Sequence, residues 1–121
     1  MNNIDFIVFN FYIPMYGSGL FYFDKEECEA GFRGIPEGTG EIIEDSTSIT
    51  KDTFDIILNF TSKELTSYNN PDKYFGCSIG LYSRDEQIEL YDEHKIDYEK
   101  YSFILYSIMN EYVSELSQYL W

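Results

Sequence analysis

The chain has 121 residues, 22 of them Asp or Glu against eight Lys or Arg, for a formal charge of −14. That length holds one hydrophobic core, and the charge repels nucleic-acid phosphates and anionic membranes. It also exceeds the roughly 2 to 8 units that keep a small domain soluble, so a basic partner is expected. Two cysteines, Cys28 and Cys77, are too few for a disulfide framework. No basic leader precedes the apolar Ile4–Ile13 run, which is too short to span a bilayer. A reduced, cytoplasmic chain with no membrane association is therefore expected. Twelve Tyr and ten Phe against one Ala mean that aromatic rings supply most of the apolar bulk.

Ile4–Ile13 reads as a strand, with Ile7, Phe9, Phe11 and Ile13 on one face and Ile4, Phe6, Val8 and Tyr12 on the other. Apolar residues on both faces place it mid-sheet, covered on both sides. Pro14 stops it, Gly17 and Gly19 make a turn, and Leu20–Phe23 pairs back as a hairpin. Asp24 opens a short helical turn with Glu27 three residues on. Gly31, Gly34, Pro36, Gly38 and Gly40 mark a loop. It lacks the Lys-Ser/Thr ending of a phosphate-binding loop, and Glu37, Glu41, Glu44 and Asp45 would repel an anion.

Glu41–Glu44 is a short strand before a turn at Asp45–Ser48. Thr53–Thr61 alternates with Phe54, Ile56, Leu58 and Phe60 inward, as a half-exposed strand does. A helix competes there, because Phe54, Ile57, Leu58 and Leu65 also fit a period of 3.6; β-branched and aromatic content decides for the strand. Asn69–Asp72 is a turn. Lys73–Ser83 follows as a strand, with Phe75, Cys77, Ile79 and Leu81 on one face. Its small residues Gly76, Ser78 and Gly80 mark the other face as the place where the C-terminal helix approaches. Arg84–Glu86 turns the chain, and Gln87–Asp92 returns as an outer strand with Ile88 and Leu90 inward.

Asp97–Trp121 carries Tyr101, Leu105, Ile108, Tyr112, Leu116 and Tyr119 at steps of three and four, the spacing of one helix face. Asp97 is its N-cap, and Ile96 and Tyr101 form a hydrophobic staple. At about 1.5 Å per residue this helix would run roughly 35 Å. The expected fold is α+β: an antiparallel sheet of about five strands with one long C-terminal helix packed across one face, in a single domain over residues 1–121.

No motif names a reaction, and no catalytic residue, metal or cofactor is expected. The single histidine, His94, excludes His-rich zinc sites, and Cys77 on an apolar face reads as an inert small hydrophobe. Seven acids lie within fifteen residues, at Asp85, Glu86, Glu89, Asp92, Glu93, Asp97 and Glu99, with Tyr91 and Tyr98 among them. Carboxylates steer and pair with Arg and Lys while Tyr supplies contact area, so Asp85, Glu86, Glu89, Tyr91, Asp92, Glu93 and Glu99 are the candidate partner-binding residues. The competing reading is a solvated sheet edge kept apart from other edges by its charges. A second acidic group runs from Asp24 to Asp45, diluted by Lys25 and Arg33.

In size, acidity and lack of catalytic motifs, the chain looks like bacterial immunity proteins that neutralise nuclease toxins, or phage anti-defence inhibitors that mimic nucleic acid. The expected function is non-enzymatic inhibition of a basic, nucleic-acid-processing protein. The competing class is a small enzyme or ligand-binding domain, which an aromatic-lined pocket holding a buried, unpaired carboxylate or His94 would signal.

Overall fold

The computed structural model describes residues 3–67, 74–84 and 88–120. Within them run β1 (Ile4–Ile13), β2 (Gly17–Asp24), β3 (Glu29–Pro36), β4 (Ile43–Ser48), α1 (Lys51–Thr66), β5 (Tyr74–Arg84), β6 (Ile88–Asp97) and α2 (Tyr98–Tyr112). A 3₁₀ segment, Ser114–Tyr119, follows. The architecture is α+β, with six antiparallel strands where about five are expected, in the order β4-β3-β2-β1-β5-β6. β1 to β4 form a meander; α1 then carries the chain back so that β5 pairs with the free side of β1.

β1 has the bounds that its apolar run predicts, and both of its edges are hydrogen-bonded. Ile7, Phe9 and Phe11 are buried, with Phe21 and Phe23 of β2 beside them and Cys77, Ile79 and Leu81 of β5 on the other side. Phe9 meets Phe23 edge-on at 5.8 Å and Tyr101 of α2 at 5.8 Å. The buried residues of both helices join this same core. Among the described residues no helix contributes to the opposite sheet face, so β1 is covered on one side and not on both.

Residues 53–61 are helical, and the strand expected there is wrong. Thr50 caps α1, its Oγ1 accepting from the Thr53 amide at 3.0 Å. Phe54, Ile57, Thr61 and Leu65 are buried at steps of three and four, while Ile56 is exposed. The cap and a sixteen-residue length outweigh β-branched composition, which is a weak preference.

The segment around Asp24 is a tight turn and not a helical one. The Asp24 carboxylate does accept from the Glu27 amide at 3.1 Å, but Cys28 takes a left-handed conformation (φ 53°) and reverses the chain into β3. Four residues between paired strands are too few to nucleate a helix. Likewise residues 31–36 are strand and not loop, and β4 runs through Asp45–Ser48, where a turn is expected. Gly31 and Gly34 sit inside β3 because rings occupy their side-chain space: Tyr22 over Gly31 and Phe32 over Gly34.

The C-terminal helix is shorter than its stripe implies. α2 begins as expected, with Asp97 Oδ1 accepting from the Lys100 amide at 2.8 Å and Ile96 and Tyr101 both buried. It stops at Tyr112, after about 22 Å at 1.5 Å per residue. Val113 leaves helical geometry (φ −139°, ψ 51°) and the chain continues as the 3₁₀ segment. Val113, Leu116 and Tyr119 keep a step of three, which suits three residues per turn and imitates a continuing α-helical stripe. Tyr119 stacks on Phe32 at 4.5 Å and donates to Asp45 Oδ2 at 2.7 Å, so the C-terminal segment clasps β3 and β4. The two helices are joined by Lys100 Nζ, 2.6 Å from Glu64 Oε1.

α2 packs on the Cys77, Ile79 and Leu81 face of β5, opposite to the small-residue face expected to receive it. Space beside Gly80 is filled by the Tyr82 ring, and the Tyr12 carbonyl oxygen lies 2.5 Å from where a Cβ on Gly76 would stand. β6 runs on to Asp97, well beyond Asp92, where the outer strand is expected to end. Leu90 is exposed instead of inward, because it pairs with Tyr82 on the uncovered face. The turn at Asn69–Asp72, the residues Asp85 and Glu86, and Trp121 lie outside the described residues.

Candidate functional site

The predicted acidic cluster falls on an edge strand. β6 ends the sheet, and its acids alternate between the two faces as any strand's residues do. Asp92 pairs with Leu81 on the covered side and holds His94 Nε2 at 2.9 Å. Glu93 lies opposite Gly80 on the uncovered side. Glu89 and Tyr91 are placed on β6 by backbone alone, and Asp85 and Glu86 lie outside the described residues. Glu99 is exposed in the first turn of α2, in the helical layer. Of the candidates whose side chains are described, Glu93 alone belongs to the open sheet face.

That face is the larger feature, and adding the pairing registers gives its layout. One row across the sheet reads Ser48, Glu29, Asp24, Phe6, Tyr82, Leu90. The next reads Ser46, Gly31, Tyr22, Val8, Gly80, Glu93, and the third Glu44, Arg33, Leu20, Asn10, Ser78, Lys95. Its centre is apolar and its borders carry most of the charge. At about 4.8 Å between strands it is roughly 24 Å wide. Tyr12 (55% exposed), Ile35 (43%) and Leu90 (53%) open onto it.

The aromatic residues at one end form a second, smaller cluster outside the core. Phe6 meets Tyr22 edge-on at 5.8 Å and Tyr82 at 6.0 Å, and Val8 is buried, paired with Tyr22 on one side and with Gly80 on the other. Tyr22 and Tyr82 each fold over a glycine, Gly31 and Gly80 respectively, in the space a Cβ would occupy. Such rings repair strands that glycine would otherwise weaken. The Tyr22 hydroxyl donates to Glu29 Oε1. Its acidity is suppressed first by burial, then by that hydrogen bond and by the charges of Glu29, Asp24 and Glu44. A concavity of about 550 Å³ lies alongside, lined by Tyr22, Phe32, Arg33, Glu44, Asp45 and Ser46.

Several acids of the second group are committed within the chain. Arg33 Nε lies 3.1 Å from Glu44, the Glu37 carboxylate accepts from the Met15 amide at 3.0 Å, and Asp45 accepts from Tyr119. Asp24 is the buried carboxylate among the described residues, and it is satisfied by the Glu27 amide. Among the described residues, no three His, Cys, Asp or Glu side chains converge as metal ligands, and no helix is long and apolar enough to cross a membrane.

The two thiols are free and differ in character. Cys77 is fully buried, and burial, with a smaller contribution from the charge of Asp97, pushes its pKa up to about 11. Cys28 is half-buried in the β2–β3 turn, its Sγ donating to the Lys25 carbonyl at 3.6 Å. Iodoacetamide on the native protein should therefore label Cys28 well before Cys77, because the reacting species is the thiolate and needs access. Both should label at once in denaturant without reductant. Equal native rates would contradict the burial of Cys77.

Comparison with known proteins returns no matching family model, curated protein or solved structure.

Proposed function

We propose that the chain is a non-enzymatic inhibitor that binds and neutralises a basic, nucleic-acid-processing protein, in the manner of an immunity protein for a nuclease toxin. The observation that carries this reading is the charge of −14. Lys25 is bound to Asp55 at 2.9 Å, Arg33 to Glu44 and Lys100 to Glu64. These pairs cancel locally and leave the remaining acids to set the outward field. A field of that sign steers a basic partner into contact and raises the association rate more than the final affinity.

Pull-down from the source cell, identification of the captured protein and measurement of its binding kinetics test the proposal. The expected partner is basic, acts on nucleic acid and loses that activity when bound. Its association should slow steeply as salt rises, because exposed charges are screened over about 8 Å at physiological ionic strength. Reversing Glu89, Asp92, Glu93 and Glu99 to Lys should lower the on-rate and leave the off-rate nearly unchanged, as rim charges do. A captured partner that is acidic, or association indifferent to salt, would overturn the reading. Nucleic acid competing for the same site on the partner would assign the chain to the mimics of nucleic acid.

A further inference from the structure

The uncovered sheet face selects its own occupant by charge. A second copy of the chain, a nucleic acid or an anionic bilayer would each bring negative charge against a molecule of −14. A basic protein segment would not. The face also offers two kinds of contact that arginine uses together. Tyr22 and Tyr82 fold over glycines and so lie along the sheet instead of standing off it, which offers ring faces to an approaching cation. Glu29 on β3 and Glu93 on the edge strand β6 flank the same aromatic end.

Resting on the basic-partner reading above, we propose that this face is the docking surface and that its occupant is an arginine-bearing segment of the partner protein. Guanidinium groups of that segment stack on Tyr22 and Tyr82 while the bordering carboxylates pair with them. Arg33 shows the carboxylate pairing alone within the chain, being exposed on this face with Glu44 as its partner beside the concavity that Tyr22 lines. Arginine is favoured over lysine because a planar guanidinium can stack on a ring and pair with a carboxylate at the same time.

The test is an NMR titration of the intact protein, with Ile, Leu and Val methyl groups labelled, using oligoarginine and oligolysine peptides of equal length. Oligoarginine at low salt should shift the methyls of Val8, Leu20 and Leu90 saturably and leave Ile56, on the exposed side of α1, unmoved. It should bind roughly tenfold more tightly than oligolysine, and Tyr82→Leu should reduce that preference. Unchanged shifts of the core residues Ile7 and Ile104 would certify that the variant is folded. Shifts confined to the helical layer would overturn the face assignment and leave the basic-partner reading standing. Equal affinity for the two peptides would overturn the arginine assignment. Face shifts that grow with protein concentration in the absence of peptide would give the face to a second copy instead. No shift with either peptide would overturn this proposal, while the pull-down decides the basic-partner reading on its own.

Discussion

Leu105→Ala or Ile108→Ala is expected to cost about 2 to 5 kcal/mol of folding stability, the usual range for removing a large side chain from a packed core. Both residues are fully buried on α2, against a sheet face made largely of Phe rings. Rigid rings on one side and a capped helix on the other limit how far the cavity can collapse, which favours the upper part of that range. A small domain has only about 5 to 15 kcal/mol in total, so either change removes a large share of it. Ser107→Ala and Gln118→Ala should stay within about 0.5 kcal/mol. The Ser107 hydroxyl donates to the Phe103 carbonyl, which the helix already engages, and Gln118 is exposed on the 3₁₀ segment. Urea unfolding of the four variants decides the matter. Equal losses across all four would mean that a different face of α2 meets the sheet.

The parts of the fold legible in the sequence were those where one local signal had no rival. Ile4–Ile13 is a β-branched and aromatic run closed by Pro14, and Asp97 stands at the head of a stripe with a step of three and four. Where two periods coexisted the sequence was ambiguous. Phe54, Ile57 and Leu65 satisfied a helix while Phe54, Ile56 and Leu58 satisfied a strand, and the Thr50 cap that settles the question lies just outside the alternating segment. Glycine misled in another way. Gly31 and Gly34 read as loop residues because what lies above each of them is a ring from Tyr22 or Phe32, a spatial fact with no local signature. The break at Val113 was hidden for a related reason, since a 3₁₀ segment continues an apolar step of three.

The candidate site was legible as chemistry and not as geometry. Sequence proximity grouped Asp85 to Glu99, but alternation along β6 sends Asp92 and Glu93 to opposite faces, and Glu99 rides on α2. The open face missed by sequence reading is assembled from six strands, and its residues Phe6, Tyr22, Tyr82 and Leu90 are far apart in the chain. One signal for it was present. The outward positions of β1, Phe6, Val8 and Tyr12, are apolar, while the buried residues of both described helices pack on the opposite face. An apolar outward row on a sheet with one covering layer is the kind of exposed patch on which the docking proposal rests.

The register that builds this face can be tested at Gly17, where substitution by Ala should cost about 2 to 6 kcal/mol. Two costs add there. Gly17 has φ +136°, a conformation that side chains with a Cβ adopt only under strain of about 1 to 3 kcal/mol. A Cβ would also run into the Ile35 carbonyl oxygen and come within 2.9 Å of the Pro36 Cα, and overpacking of this kind costs about 1 to 3 kcal/mol more. Both obstacles are backbone of the paired strand β3 and cannot swing aside without breaking the Gly17–Pro36 register. Gly38→Ala isolates the first cost, since Gly38 has φ +85° with open space around it. Gly31→Ala isolates a softer collision, because the obstacle is the end of the Tyr22 ring and a side chain can rotate away. The expected order of loss in urea unfolding is therefore Gly17→Ala ahead of both controls. Gly31→Ala should in addition release the Tyr22 hydroxyl from Glu29, visible as a fall in the tyrosine pKa towards its ordinary value near 10. A Gly17→Ala protein no less stable than Gly38→Ala would mean that β2 and β3 pair in another register, and the row from Glu29 to Leu90 would have to be redrawn.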